Sequence, residues 1–197
     1  MNGFEKRKNQ KKADIRAAAY RLFNEYGPKQ VNMAQIAKEA SVSQVTIYNH
    51  FQSKEQLLRE VIMEYLEKQL SIYTTLMQSD EPFQTKIEHI IFEKIHAKNP
   101  MKREFFQSAI EGDEELQAYF QQYYEQKALP LLAAFIMDGK QKGAISNEIS
   151  VESILFFINA LKQQMDQLPV DSPFFNQPEK VKEMLHLFFY GIMGKNT

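Results

Sequence analysis

The 197-residue chain contains no cysteine. That excludes a disulfide framework and any zinc site built on thiolates. Glycine and proline are scarce, at seven each, and they fall between apolar-periodic runs as punctuation. No apolar run approaches the roughly 20 residues that a bilayer span requires. The first twelve residues are basic and polar and lack an apolar signal core. These absences describe a cytoplasmic protein with no membrane partner. There is no glycine-rich phosphate loop, no nucleophile elbow and no carboxylate pair in an apolar setting, so nothing points to an enzyme. His89, Glu93 and His96 share a helix face at i, i+4, i+7, a spacing that could hold a metal. That face lies opposite the Ile87, Ile91 and Ile95 stripe and reads as a solvated polar surface. No metal and no cofactor are expected.

What is present is ordinary in amount and uneven in placement. Hydrophobic residues make up 44% and charged residues 25%, the balance of a soluble globular protein. The net charge of −1 hides an asymmetry. Up to Lys54 there are ten Lys/Arg against four Asp/Glu, and beyond it 14 against 21. A basic front joined to an acidic remainder suggests that one end meets a polyanion.

Almost every apolar run has helical spacing. Ile15, Ala18, Ala19, Leu22, Phe23 and Tyr26 keep an i, i+3, i+4, i+7 pattern, ended by Gly27-Pro28. A long run follows Ser53, from Leu57 to Tyr73. Glu81-Pro82 opens the next, and Asn99-Pro100 closes it. A short helix carries Phe105, Phe106, Ala109 and Ile110. A long aromatic helix runs from Glu114 to about Gly139 and should kink at Pro130. Residues 151–168 and 178 to about 193 read as two more. The expected fold is all-α: an N-terminal three-helix DNA-binding domain, a long joining helix and a C-terminal helical domain, about nine helices in total. The expected division is 1–53 and 54–197.

Between Gln30 and Phe51 the helices become short and the caps dense. Asn32 can cap a helix beginning at Met33, with Gln35 three residues on as in a capping box. Ser41-Val42 makes a tight turn, and Ser43 caps a second short helix. Two such helices joined by a short turn are the helix-turn-helix signature. Ser53 then caps the long helix, with Gln56 three residues later. In the second short helix Ile47 and Phe51 face inward, which leaves Gln44, Val45, Thr46, Tyr48 and Asn49 outward. Gln and Asn suit adenine edges, and Thr or Val methyls suit thymine methyls. Tyr48, Lys54 and a basic arm of Lys6, Arg7, Lys8, Lys11 and Lys12 suit phosphates or an adjacent minor groove. No Lys or Arg occurs between Ala40 and Ser53. The commonest guanine reader is missing, so the base pairs read should be A·T-biased.

Ile15–Gly27, Met33–Ala40, Val42–Phe51 and Ser53–Leu58 together closely resemble the DNA-binding head of the tetracycline-repressor (TetR) family. The resemblance implies a homodimer, a ligand-binding body of about six helices and a dimer interface built from the last two. It implies that Gln44, Val45 and Thr46 meet bases, and that Tyr48, His50 and Lys54 meet or orient toward phosphates. Two departures stand out. Ser41 occupies a turn position commonly glycine in the family, and a left-handed Ser41 would cost on the order of 1 kcal/mol. Met33 and Ala34, at a helix start that often helps contact DNA, offer apolar contact only.

Phe105, Phe106, Tyr119, Tyr123 and Phe135 crowd the middle of the body. Singly each reads as core; as a group they could line a cavity for an apolar or aromatic effector. Apolar stripes on the last two helices, with Phe157, Ile158 and Leu161 on one and Leu185, Phe188 and Phe189 on the other, suit a two-fold four-helix interface. The expected function is a ligand-responsive transcriptional regulator, most simply a repressor. It would bind a palindromic double-stranded DNA operator as a dimer and be released by a small effector. The alternative is a helical protein-interaction module whose basic head does not read DNA sequence.

Overall fold

A computed structural model describes residues 3–96 and 101–168, together with 177, 179, 180, 183, 184, 186 and 187. Among the described residues there is no strand. The helices are α1 Gly3–Tyr26, α2 Met33–Glu39, α3 Gln44–Tyr48, α4 Lys54–Met77, α5 Phe83–His96, α6 Arg103–Ile110, α7 Glu114–Tyr123, α8 Leu129–Gln141 and α9 Val151–Gln167. The helix expected over 178–193 lies largely outside the described residues.

Local chemistry explains most of the boundaries. α1 starts twelve residues before its first core position, Ile15, so the expected basic arm is helical. No proline or glycine interrupts Phe4 to Tyr26, and Lys, Arg, Gln, Glu and Ala are good helix formers. Gln10 donates from Nε2 to Asp14 Oδ1 at 2.9 Å one turn along. Gly27, at φ +81°, ends the helix. The capping box on α2 forms as expected: Gln35 N–H donates to Asn32 Oδ1 at 3.0 Å, and Asn32 N–H donates to Gln35 Oε1 at 2.8 Å. At the other end, Val42 N–H donates to Ala37 O and Ser41 N–H to Lys38 O. That pair of bonds is a Schellman closure, which needs a left-handed residue at its centre. Ser41 supplies it, at φ +53°.

Ser43 caps α3 through Thr46 N–H, at 3.0 Å. Ser53 caps α4 through Gln56 N–H at 3.1 Å, but the Gln56 side chain reaches back to Gln52 N–H, one residue earlier than the box requires.

The expected kink at Pro130 takes a different form. Proline has no N–H for the carbonyl four residues back, and its ring crowds that carbonyl. The chain widens just ahead of it into one π-helical turn, Tyr124–Ala128, in which Leu129 N–H donates to Tyr124 O.

The helices assemble as two compact units, Met1–Gln69 with Pro100–Phe120, and Leu70–Asn99 with Gln121–Thr197. In the first, Ile15, Phe23, Ile36, Ile47, Phe51, Leu57 and Ile62 form a core with Phe105 and Ala109 of α6 and Leu116 of α7. Ile47 has no exposed surface, and burying such a side chain is worth about 1.5–3 kcal/mol. Arg59 of α4 pairs with Asp113, Nε to Oδ2 at 2.8 Å, and also with Glu115. Asp113 in turn accepts Leu116 N–H at 2.9 Å, so one carboxylate holds Arg59 and caps α7. Burial pushes the Asp113 carboxyl up, but the Arg59 and Leu116 hydrogen bonds outweigh it and leave it below its ordinary 3.8.

The second unit packs Phe83, Ile87, Phe135, Ile136, Ile145 and Ile154. Phe83 and Phe135 stack at 4.7 Å between ring centroids. Gly139 lets this happen: a Cβ there would stand 2.6 Å from the Phe83 ring and 2.9 Å from Ile145. Lys86, 1% exposed, donates to Met77 O at the end of α4 at 2.8 Å and lies 3.7 Å from Asp138.

Candidate nucleic-acid interface

α3 is five residues long, and its first turn is set by Ser43, which accepts Thr46 N–H and also bonds the Thr46 hydroxyl at 2.8 Å. This fixes which residues turn outward. Ile47 is fully buried, whereas Val45 is 69% and Tyr48 50% exposed. Gln44 and Asn49 are exposed and Thr46 half-buried. The outer row is therefore Gln44, Val45, Tyr48 and Asn49, with Thr46 at its edge and its hydroxyl engaged by the cap. Two amides and a branched methyl pair on a helix of this width match the major-groove edges of adenine and thymine.

Four residues expected at this surface are buried or already engaged within the free chain. Met33 is 5% exposed and packs in the first unit's core. A capped α2 points its first residue inward, so Met33 belongs to the head's interior. Lys54 donates from Nζ to Pro28 O at 3.0 Å and Val31 O at 3.1 Å; its ammonium ties the loop between α1 and α2 to the start of α4. Lys12 lies 2.7 Å from Glu60 Oε2 and 5.1 Å over the Phe51 ring. His50 is held below its usual protonation range, first by burial and then by the positive charges of Lys8, Lys12 and Lys11. The shift favours the neutral imidazole, which keeps one N–H donor. Lys11 is exposed on α1.

Sequence reading missed Arg16, Glu60 and Glu64. Arg16 lies 3.5 Å from Glu60 and also pairs with Glu64, which fastens α1 to α4. The partners are 44 and 48 residues apart, beyond the reach of any periodicity or capping signal.

The aromatic group expected around an effector divides. Phe105 is 2% exposed in the first unit's core, where its ring meets Phe23 at 6.0 Å and Tyr20 at 6.2 Å. Phe106 packs beside it, and Tyr119 donates from its hydroxyl to Glu67 at 3.0 Å. Tyr123 and Phe135 are buried in the second unit. Phe105 is thus a structural residue beneath the head, because α6 packs there and not in the body. On α9, Phe156 is 76% and Phe157 47% exposed, with Ile158 and Leu161 half-buried. Leu185, Phe188 and Phe189 lie outside the described residues. His89 Nδ1 meets Glu81 Oε2 at 2.9 Å; the side chains of Glu93 and His96 lie outside the described residues. No described helix is long and apolar enough to cross a membrane.

An all-helical chain whose capped helix pair turns a polar, amide-bearing helix outward is a helix-turn-helix protein built to meet DNA. Residues 15–61 match the model for bacterial regulatory proteins of the tetR family. The chain is 34% identical over 124 residues to the HTH-type transcriptional regulator SAR2658 of Staphylococcus aureus, covering 56% of this chain and 64% of that one. It is 28% identical over 134 residues to the uncharacterized HTH-type transcriptional regulator YhgD of Bacillus subtilis, covering 66% and 70%. In fold it resembles the transcriptional regulator FadR of Bacillus subtilis in complex with stearoyl-CoA, with a TM-score of 0.65, 20% identity, and 91% and 98% of the two chains covered. Residues 15–61 are thus a tetR-type DNA-binding head, and the chain is a DNA-binding transcriptional regulator.

Proposed function

We propose that the chain is a cytoplasmic repressor that binds a palindromic operator as a homodimer and leaves it when a small apolar or aromatic effector binds the body. The observation that carries this reading is the exposed row on α3. Gln44, Val45, Thr46 and Asn49 are assigned to base edges, and Tyr48 and Lys11 to the backbone on either side. With no Lys or Arg between Ala40 and Ser53, the pairs beneath this row are A·T-biased. Two heads on a two-fold axis read half-sites about 34 Å apart, one helical turn. The exposed phenylalanines of α9, with the apolar residues that follow it in sequence, are assigned to the dimer contact. The aromatic content of the body favours an apolar effector, as does the acyl thioester held by the FadR structure. A coupling of about 1–3 kcal/mol between effector and DNA suffices for a 5- to 150-fold release.

Selection of bound duplexes from a random pool tests the reading. The expected product is a palindrome with A·T at the positions under Gln44, Thr46 and Asn49. Enrichment of G·C there overturns the assignment of the reading row. No enrichment, with binding that ignores sequence, overturns the regulator mechanism in favour of a basic interaction module.

A further inference from the structure

Glu60 sits on α4 one turn beyond Gln56, and both its oxygens face cations of α1. Lys12 Nζ lies 3.0 Å from Oε1 and 2.7 Å from Oε2, and Arg16 Nη1 lies 3.5 Å from Oε2. The same Lys12 ammonium stands over Phe51, the core residue that closes the turn after α3. Lys8, Lys11 and Lys12 lie close enough to His50 for their charge to act on it. Three lysines of α1 and the end of the reading helix therefore share one cationic edge, and Glu60 is set into it. The Lys12 and Glu60 side chains are 33% and 25% exposed, open enough for a competing anion to reach the ammonium.

We propose that Glu60 restrains DNA affinity: it holds Lys12 in the free protein, and a duplex phosphate takes Lys12 from it on binding. This rests on the DNA-binding reading above and adds to it the residue that sets how tightly the head engages the backbone. A carboxylate and a phosphodiester compete for one ammonium, and the loser faces the winner's like charge. Arg16 keeps Glu64 as a second partner, so α1 stays fastened to α4 while Lys12 exchanges. DNA occupancy and the packing of α1 on α4 are thereby linked within the first unit.

The test is an anisotropy titration of the full chain against a mixed-sequence duplex over a range of salt. Glu60→Gln binds more tightly, by about fivefold at low salt, with a log–log salt slope steeper by about 1. Lys12→Gln binds more weakly, with a slope shallower by about 1. The double variant Lys12→Gln/Glu60→Gln has the wild-type net charge and behaves like Lys12→Gln alone. Glu39→Gln makes the same charge change at the carboxylate that pairs with Arg21, 2.9 Å away, and gives a smaller gain. Glu60→Asp keeps the charge but withdraws it by one methylene, and gives a smaller gain of the same sign. Circular dichroism and thermal unfolding establish that each variant is folded. The assignment is overturned if Glu60→Gln binds no more tightly than wild type, if its gain survives in the double variant, or if Glu39→Gln gains as much. A wild-type chain that binds no duplex at any salt instead removes the DNA-binding reading itself.

Discussion

The two units are held together by different means. In the helix-turn-helix part of the first, each helix is closed by hydrogen bonds between residues three to five apart: Asn32 with Gln35, Val42 with Ala37, Ser43 with Thr46, Ser53 with Gln56. In the second, order rests on a close packing of rings and branched chains around Gly139 and on the buried ammonium of Lys86. A head that must present one short helix at a fixed angle is served by local closure, which specifies where α3 begins and which way it faces. A core of large side chains specifies volume and shape, and it tolerates substitution only where space allows.

The largest test of this contrast is Gly139→Ala. Its Cβ would collide with Phe83 and Ile145, so the variant should lose about 1–3 kcal/mol, read as a lowered urea midpoint with the slope unchanged. A midpoint like wild type would mean that the packing around Gly139 yields easily and the contrast is weaker than drawn. Asn32→Ala strikes the other side. Removing half of a capping box should cost about 1 kcal/mol and weaken duplex binding along with stability, because α2 carries the turn to α3. Loss of stability with no loss of binding would separate the cap from the reading geometry.

Ser41→Gly acts in the opposite direction. At φ +53° glycine removes the strain of a side chain in the left-handed region, for a gain of about 0.5–1 kcal/mol. An unchanged or lowered midpoint would show that the Ser41 side chain makes a compensating contact. The smallest effect is a pH dependence. Asp113 is depressed below 3.8 in the folded chain, so its contribution is fully present above about pH 4 and is lost as pH falls through the lower folded value. Stability measured from pH 6 to pH 3 should fall less steeply in Asp113→Asn than in wild type.

Most of the head was legible in the sequence because its determinants are local. A cap, a left-handed turn residue and a helical period all lie within a few neighbours of the residues they govern, so α2, α3 and the outward row at Gln44, Val45, Tyr48 and Asn49 could be read directly. The apolar period starts the first helical run at Ile15 and leaves the basic arm ahead of it; the arm's helical form showed only in the structure, though the absence of any breaker from Phe4 to Tyr26 was a signal for it. Partner choice across the chain was not. Lys54 looks like a phosphate ligand until Pro28 and Val31 take its ammonium, and Lys12 looks unpaired until Glu60 meets it. Met33 looks like a surface residue until α2 turns it inward.

What the sequence alone determined is the helical fold, the capped helix-turn-helix and the strained turn at Ser41, since each follows from backbone preferences of nearby residues. Only the tertiary structure decided that Phe105 of α6 supports the head's core, that Pro130 is met by a π-helical turn, and that Glu60 sits among the cations of α1. Those outcomes depend on which helix faces are brought together across gaps of roughly forty residues or more, or on how a long helix absorbs a missing hydrogen bond, and neither is encoded in any short window of the chain.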